Sequence, residues 1–375
     1  MKTKRLLLTC TELMAVQFLV PHIKYLSENG FSVKLACSVV GDRLDDLKAK
    51  LNGVCEIETV RLVRSPFSAS NLNGFKDLKR IINSEKWDII WTNEPVMSIM
   101  TRLAAKTARK NGTKVIYMVH GFHFYDGAPL LNWLLFYPIE KYCSRLCDMI
   151  IAINNEDFQR AKTFHSKRVE KIDGVGVNTD AFGFSEENRK ELREELGVSD
   201  DEIMILNVAE LTKRKNQQVV LNALKQLGNG KVRLFVCGVG DNEDYLKNLT
   251  AELGLSANVE FLGYRKDVYK IYSAADIFTL CSLHEGLPKA IMEAMANGKP
   301  VVCPNIRGCV DAVTDGKGGY VVENAPEKYA EAFKKLVGDE KLRESFGEYN
   351  REAVKTFEED KALNNVLNLM KSVLK

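Results

Sequence analysis

Long hydrophobic runs are missing from this sequence of 375 residues. No stretch approaches the roughly 18 consecutive apolar residues of a membrane-spanning helix, so we expect none. A basic start, Met1–Arg5, precedes only a short apolar run without a small-residue cleavage site, and we therefore predict no signal peptide. Disorder is excluded over most of the length, because 45% hydrophobic residues supply enough apolar surface to offset the entropy of ordering.

Paired cysteine motifs are also absent, although the chain has nine cysteines. No two have C-x-x-C spacing, and the close pairs Cys143/Cys147 and Cys303/Cys309 lack a histidine at metal-ligand spacing. Most of the cysteines lie in apolar stretches. We therefore predict free, buried thiols in a reducing compartment, and neither a disulfide framework nor a zinc site.

Two cofactor motifs are missing as well. The first half has no G-x-G-x-x-G after a predicted strand, which argues against a nicotinamide-dependent oxidoreductase. No convincing D-x-D metal motif is present, because Asp241–Asp244 is better interpreted as the start of a helix. We expect neither a bound metal nor another cofactor.

Charge is distributed unevenly along the chain. Residues 1–180 have 26 Lys and Arg against 19 Asp and Glu, a net +7, whereas the remainder has a net −4. Such asymmetry indicates that the first half meets an anionic partner. Charges scattered over solvated surfaces account for it equally well.

Short apolar runs alternate with amphipathic stretches along the whole chain. Ile203–Val208 and Gly319–Val322 are examples of predicted strands, and Met97–Lys110 and Gln217–Leu227 are examples of predicted helices. This alternation is typical of a parallel sheet covered by helices on both faces. A polar, charged segment in the middle of the chain, Asp173–Asp201, is interpreted as a linker.

The pattern therefore predicts an α/β fold with two doubly wound, Rossmann-like domains that face each other across a cleft. We place the first domain at residues 1–175 and the second at 176–355. A helical segment at 356–375 is predicted to pack back onto the first domain. Ligands of such sheets bind beyond the carboxyl ends of the strands, so the residues after each strand are the candidates for function.

The most informative segment is CSLHEGLPKAIMEAMANGKPVVCP, at Cys281–Pro304. A predicted strand ends there and a predicted helix begins near Pro288, a residue suited to the first turn of a helix. Unpaired amides at a helix N-terminus favour an anion such as a phosphate. Glu285 precedes the helix, and Glu293, two turns later, could accept hydrogen bonds from ribose hydroxyls. The arrangement suits a nucleotide sugar.

Glu285 and Glu293 form an E-x7-E pattern, and the run EGLPKAIMEAMANGKPVV resembles the signature of the retaining family 4 glycosyltransferases of the GT-B fold. NVAELTKRKN at Asn207–Asn216 and GYRKD at Gly263–Asp267 resemble further donor-binding elements of that family. The resemblance implies a donor-binding second domain and an acceptor-binding first domain. It assigns donor binding to the following residues: Arg214, Lys215, Gly238, Arg265, Gly286, Leu287, Pro288, Lys289 and Glu293.

One position departs from the family pattern. The resemblance implies that Lys215 neutralises the donor diphosphate, but the usual second cation, an arginine, falls on Glu210. This charge reversal leaves the second phosphate-binding cation open, and Lys213 or Arg214 could replace it.

In the first domain, the resemblance implies that His120, at the end of the predicted strand Lys114–His120, contacts the donor sugar near the reacting centre. His120 and Glu285 are the predicted catalytic residues. Candidate acceptor-binding residues follow neighbouring predicted strands: Glu94, Phe122, His123 and Tyr125. The aromatic and apolar stretch Pro129–Pro138 fits the core, an acceptor groove or a membrane surface equally well.

The resemblance thus implies a metal-independent, retaining hexosyltransferase. The donor would be a nucleoside-diphosphate sugar, most simply a UDP-sugar with a hexose or N-acetylhexosamine, and the acceptor a polyprenyl-diphosphate-linked saccharide of a surface polysaccharide such as a capsule or exopolysaccharide. We expect a cytoplasmic protein, peripheral at the inner face of the cell membrane, with no nucleic-acid partner. A nucleotide-sugar epimerase or hydrolase, or a non-catalytic partner subunit with the same fold, remains an alternative.

Overall fold

A computed structural model of the protein describes residues 3–40, 44–66 and 68–375. The chain forms two compact units, one from Met1–Val175 together with Asp360–Lys375 and the other from Gly176–Glu359. Each unit is built on one parallel sheet with helices between the strands. The prediction of two α/β domains with parallel sheets is therefore confirmed.

Within residues 3–40, 44–66, 68–175 and 360–375, the first unit contains a seven-stranded sheet and seven α-helices between its strands. Its strands are β1 (Lys4–Glu12), β2 (Phe31–Val40), β3 (Cys55–Thr59), β4 (Ile89–Asn93), β5 (Lys114–Val119), β6 (Met149–Ala152) and β7 (Val169–Lys171). Its helices are α1 (Leu13–Glu28), α2 (Leu44–Leu51), α3 (Ser70–Ser84), α4 (Pro95–Ala104), α5 (Lys106–Lys110), α6 (Leu130–Cys143) and α7 (Asn155–Ala161). The spatial strand order is β3-β2-β1-β4-β5-β6-β7.

Central strands of this sheet are buried on both faces. All five residues of β4, IIWTN, are buried. Ile90 faces a cluster that includes Leu78 of α3 and Met97 of α4. Near-continuous apolar runs are what a parallel strand with helices on both sides requires.

The second unit contains a six-stranded parallel sheet in the order β10-β9-β8-β11-β12-β13. Its strands are β8 (Ile203–Val208), β9 (Val232–Cys237), β10 (Val259–Gly263), β11 (Ile277–Thr279), β12 (Val301–Pro304) and β13 (Gly319–Val322). Its helices are α8 (Glu186–Glu195), α9 (Gln218–Leu227), α10 (Glu243–Glu252), α11 (Val268–Ala274), α12 (Lys289–Ala296), α13 (Cys309–Ala312), α14 (Pro326–Gly338) and α15 (Glu340–Ala353).

Two hydrophobic cores cover the two faces of this second sheet. Met204 and Leu206 of β8 belong to one core, and Ile205 between them belongs to the other. Successive strand residues point to opposite faces, so the short apolar run of β8 supplies both cores. The predicted strands Ile203–Val208 and Gly319–Val322 agree with β8 and β13 residue for residue.

The segment Asp173–Asp201 is mostly not the linker that its polar composition indicated. It contains α8, and the side chain of Ser185, directly before this helix, accepts a hydrogen bond from the Asn188 amide. Arg189 and Arg193 of this helix both bind the carboxylate of Asp276, at 2.7 and 3.1 Å. Their charges made the segment look solvated, whereas in the folded unit they pair with a carboxylate and with backbone carbonyls at the end of α11.

The last helix, α16 (Glu359–Val373), packs in the first unit. Its apolar side, including Val366 and Met370, is buried. The hydroxyl of Tyr25 donates to Asn364 Oδ1 at 2.7 Å, and Arg168 Nη1 donates to Ser372 Oγ at 2.8 Å. The nine cysteines are free, and all except Cys55 are buried. Among the described residues, no helix combines the length and the apolar character needed to cross a bilayer.

Helix α6, which the sequence analysis did not separate from its apolar surroundings, is anchored by a buried charge pair. Arg102 Nη2 of α4 donates to Glu140 Oε2 of α6 at 2.6 Å, and both side chains are almost fully buried. The guanidinium of Arg102 also lies over the ring of Tyr117 in β5, 4.3 Å from its centroid. The pair thus ties α6 to α4 and the sheet.

Breaking this pair should destabilise the first unit. Glu140→Gln leaves the Arg102 cation buried without its counter-charge, so we expect the free energy of unfolding to fall by about 3–5 kcal/mol. Urea denaturation measures the change. Asp201→Asn, which breaks the exposed Lys231–Asp201 pair, is the control and should leave the midpoint unchanged. Equal midpoints for the wild type and Glu140→Gln would contradict the anchoring role.

Candidate active site

The loop between β11 and α12 carries the E-x7-E motif. Pro288 occupies the cap position directly before α12, and no side chain caps the helix there. The backbone amide of Ile291 donates to the Pro288 carbonyl at 3.1 Å. The first amides of α12 therefore present the positive end of the helix dipole at this loop.

Glu285 lies in this loop against two cations from the loop after β8. Lys215 Nζ donates to Glu285 Oε1 at 2.6 Å, and Arg214 Nη1 lies 3.5 Å from the same oxygen. Arg214 also donates to the carbonyl of His284 at 3.3 Å. The structure thus brings together three of the predicted site residues, about 70 positions apart in sequence.

The charge state of Glu285 follows from this cluster. Burial acts to raise the pKa of Glu285, but the charges of Lys215 and Arg214 and the hydrogen bond from Lys215 outweigh burial and lower the pKa below its ordinary value. The carboxylate is therefore ionised at neutral pH.

Arg307 is a site residue that the sequence analysis did not single out. Its Nε donates to the Glu285 carbonyl at 2.9 Å, and its side chain is buried. The neighbouring Gly308 has φ +79°, and a Cβ there would collide with the Gly286 carbonyl. Arg307 and Gly308 thus hold the backbone of the Glu285 loop.

Glu293 lies on α12 and has a partner of its own. The hydroxyl of Tyr272 donates to Glu293 Oε2 at 2.9 Å. Burial raises the pKa of Glu293. Tyr272 was not predicted as a site residue, because its apolar neighbours in sequence give no sign that its hydroxyl reaches α12.

The other predicted donor-binding residues are placed as follows. Gly238, after β9, has φ +152°, and a Cβ there would collide with the Ala209 carbonyl, so the turn requires glycine. Leu287 and Lys289 are half-buried beside Glu285 in sequence. The guanidinium of Arg265 is engaged by Asp267 at 2.8 and 2.7 Å and by Glu195 at 2.7 Å. Arg265 is thus held by two carboxylates, and its role in donor binding stays a prediction.

The position that departs from the family pattern lies at the edge of the same cluster. The Glu210 side chain is 54% exposed, and its Oε2 lies 3.8 Å from Arg214 Nη2. Lys213 is exposed, whereas Arg214 is half-buried against Glu285. Of the two replacement cations considered, the geometry favours Arg214.

In the first unit, the candidate residues follow two neighbouring strands, β4 and β5. His120 Nε2 lies 2.9 Å from Asn93 Oδ1, and Asn93 Nδ2 donates to the Thr9 carbonyl at 3.4 Å. Burial lowers the pKa of His120, and the charge of Glu94 acts in the opposite direction. We therefore expect the imidazole to be neutral near pH 7.

Glu94 is held in an unusual conformation directly before α4. Its backbone has φ +61° and ψ 147°, a sparsely populated region for a residue other than glycine. Its carboxylate accepts hydrogen bonds from the Thr11 amide at 2.6 Å and from the Cys10 thiol at 3.1 Å. Glu94 therefore holds the carboxyl end of β1, just before α1 begins, and acceptor binding by Glu94 stays a prediction.

The aromatic residues after His120 divide into two groups. Phe122 is 1% exposed and stacks on Phe124 in the core at 4.7 Å. The prediction that Phe122 binds the acceptor is therefore corrected, because its ring is covered by the core of its own unit. His123 is exposed and stacks on Phe136 of α6 at 4.8 Å, and Tyr125 is half-buried.

Comparisons with known proteins show the family of this chain. Residues 188–353 match the family model described as Glycosyl transferases group 1, and residues 10–154 match Glycosyl transferase 4-like. The Bacillus subtilis putative glycosyltransferase EpsD is 33% identical over 94% of this chain and 92% of its own. The chain has the GT-B fold of glycosyltransferases. It belongs to the family 4 glycosyltransferases.

A further relative and a solved structure match most of the chain. The UDP-Gal:alpha-D-GlcNAc-diphosphoundecaprenol alpha-1,3-galactosyltransferase of Escherichia coli is 27% identical over 86% of this chain and 84% of its own. Anabaena Alr3699/HepE, solved in complex with UDP and glucose, superposes with a TM-score of 0.83 at 19% identity, covering 98% of this chain and 100% of that one. At this low sequence identity, the similarity to Alr3699/HepE shows the GT-B fold alone.

Removing the lysine partner of Glu285 should produce a pH-dependent loss of stability. The lowered pKa of Glu285 means that its contribution to stability is present above the ordinary glutamate pKa and is lost as pH falls through the folded value. In Lys215→Met, the charge of Lys215 no longer opposes the effect of burial, so the pKa of Glu285 rises. We expect a deficit in the free energy of unfolding of up to about 3–5 kcal/mol at pH 7.

Urea denaturation between pH 5 and 8 measures this deficit, which should shrink as pH falls because a protonated Glu285 needs no cation. Lys213→Met removes an exposed lysine two residues away and is the matched control. A deficit that does not vary with pH would contradict the assignment of an ionised Glu285.

Proposed function

We propose that the protein is a retaining hexosyltransferase. It moves a hexose or N-acetylhexosamine from a UDP-sugar to a polyprenyl-diphosphate-linked saccharide during assembly of a surface polysaccharide, such as a capsule or exopolysaccharide. The activity for which the Escherichia coli relative is named, with a UDP-sugar donor and a diphosphoundecaprenol acceptor, supports this choice of substrates. The complex of Alr3699/HepE with UDP and glucose supports the choice of donor nucleotide.

The cluster of Lys215, Arg214 and Glu285 beside the uncapped start of α12 carries the proposal. Two cations lie beside the positive end of a helix dipole. Together they would bind the negatively charged diphosphate of the donor. The Glu285 carboxylate, ionised and held by Arg307 through its backbone, is an acceptor for sugar hydroxyls. Glu293, further along α12, is an acceptor for the ribose hydroxyls.

The proposed reaction transfers the sugar with retention at the anomeric carbon. The acceptor hydroxyl oxygen forms a bond to the anomeric carbon on the face from which the diphosphate leaves. The carbon–oxygen bond to the diphosphate breaks, and the hydroxyl proton passes to the leaving phosphate oxygen. Lys215 and Arg214 stabilise the negative charge that develops there, and removal of one such preorganised donor typically raises the barrier by about 2.7–4 kcal/mol. In this proposal no metal ion is needed.

Donor binding can be tested by thermal shift with UDP, GDP, ADP, their sugars and NAD, each with and without EDTA. A nucleotide at about 100 times its dissociation constant should stabilise the fold by about 2.7 kcal/mol. We expect the shift with UDP or its sugars to persist in EDTA and to weaken in Glu293→Gln. Glu252→Gln, on the exposed side of α10, is the control.

Product analysis then separates the alternatives. Nuclear magnetic resonance of the glycosylated lipid should show the anomeric configuration of the donor. A shift only with NAD, or only without EDTA, would overturn the proposed donor site. Free nucleotide with an isomerised or released sugar would identify an epimerase or hydrolase, and tight UDP binding without any turnover would identify a non-catalytic subunit.

The lipid-linked acceptor places the first unit at a membrane in this proposal, peripheral at the cytoplasmic face. Helix α6 exposes a row of large apolar side chains: Leu130, Leu131, Leu134, Ile139 and Tyr142. The unit that carries them has 29 Lys and Arg against 19 Asp and Glu, a net +10. Apolar side chains on a basic unit match the acyl boundary and the anionic headgroups of a bilayer.

Substitution on α6 tests this attachment. Leu131→Asn with Leu134→Asn should reduce sedimentation with anionic liposomes at least several-fold while leaving UDP-induced stabilisation unchanged. Leu72→Asn is the matched control, because Leu72 is 68% exposed on a helix of the same unit and Leu134 is 65% exposed. Equal sedimentation of all three proteins, or no binding to liposomes at any salt concentration, would remove α6 as the attachment surface.

A further inference from the structure

A buried asparagine lies between two strands of the first unit and contacts the predicted catalytic histidine. Asn93 is the last residue of β4, and its side chain is fully buried. Its Nδ2 reaches the Thr9 carbonyl of β1 on one side, and its Oδ1 reaches His120 Nε2, just after β5, on the other. The amide therefore bridges the two neighbours of its own strand.

The backbone of β1 decides which way this amide points. If the oxygen and nitrogen of Asn93 were exchanged, Oδ1 would face the Thr9 carbonyl, and two acceptors would meet with no proton between them. With Nδ2 donating to Thr9, the atom opposite His120 is Oδ1, which can only accept. His120 Nε2 must therefore be the donor in the 2.9 Å contact.

We propose that Asn93 is a positioning residue that keeps the proton of neutral His120 on Nε2, so that Nδ1 presents a lone pair to a hydroxyl of the transferred sugar. The second half of this inference rests on the proposed function. Nδ1 has no hydrogen-bond partner within residues 3–40, 44–66 and 68–375, so the lone pair is available. An imidazole with the other tautomer would lose the contact with Asn93 and could only donate from Nδ1.

Glu94 is the charged group that acts on this imidazole. Its carboxylate accepts hydrogen bonds from the Thr11 amide and the Cys10 thiol. The charge of Glu94 acts to raise the pKa of His120, but burial lowers this pKa by more. A second carboxylate at position 93 would change this balance. Asn93→Asp should therefore raise the pKa of His120 by one unit or more, because an anion would then accept directly from Nε2.

The tautomer can be read without any enzymatic activity. In 15N-histidine-labelled protein at pH 8, long-range proton–nitrogen correlation distinguishes a protonated from a bare ring nitrogen. The chain has five histidines, and His120→Gln identifies the signal of His120. We expect Nε2–H in the wild type and a mixture of tautomers in Asn93→Ala. An Nδ1–H tautomer in the wild type would overturn the proposal, even if Asn93→Ala failed to fold.

Kinetics test the use of this tautomer. We expect Asn93→Ala to lower kcat on the order of ten- to hundredfold, with little change in KM for the donor. Loss of the residue that hydrogen-bonds to a metal-binding histidine has an effect of this size. Asn93→Asp should move the acidic limb of the pH–rate profile upward. Asn222→Ala is the control, because the side chain of Asn222 donates to the Gln218 carbonyl within α9, away from the unit that contains His120.

The two proposals fail in different ways. Unchanged tautomer and pH profile in both Asn93 variants would show a purely structural role, whatever the activity. An Nε2–H tautomer in a protein that transfers no sugar to any acceptor would keep the positioning role of Asn93 and would remove the proposed function.

Discussion

In both units, every strand of the described chain runs parallel to its neighbours, and the carboxyl ends of adjacent strands consequently meet at one edge of each sheet. Lys215 follows β8 and Glu285 follows β11, and these strands are neighbours in space, so the two side chains form an ion pair across 70 positions. Thr9, Asn93 and His120 meet in the first unit for the same reason. Each candidate site is a product of strand order.

Buried charge is used in two ways in this chain. Arg102 and Glu140 lie wholly inside the first unit, where their attraction joins α6 to the sheet and each compensates the other. In the second unit, Arg214 is 35% exposed, so the cluster around Glu285 reaches the surface. Desolvation makes an unpaired charge costly in both places, but only the second cluster can exchange one of its partners for a ligand.

Local sequence patterns predicted the site residues that belong to a contiguous motif, but not those that reach the site through tertiary packing. The E-x7-E run and the lysine after β8 indicated Glu285 and Lys215 as parts of one site, and the structure brings them within hydrogen-bonding distance. Tyr272 and Asn93 could not be found in this way, because each acts on a residue of another element. Phe122 was wrongly assigned to acceptor binding, because the sequence does not show whether an aromatic residue beside a motif lies at the surface or in the core.

The alternation of apolar runs and amphipathic stretches was sufficient by itself to determine two parallel α/β domains, since the periodicity of each element is local to it. The sequence likewise determined the presence of the cations and carboxylates of the candidate donor site. Tertiary structure alone decided that Arg214 rather than Lys213 faces Glu285, that α8 packs as part of its unit, and that Asn93 meets His120. These outcomes depend on which strands are neighbours and which side chains are covered, and neither property is encoded within a single segment of the chain.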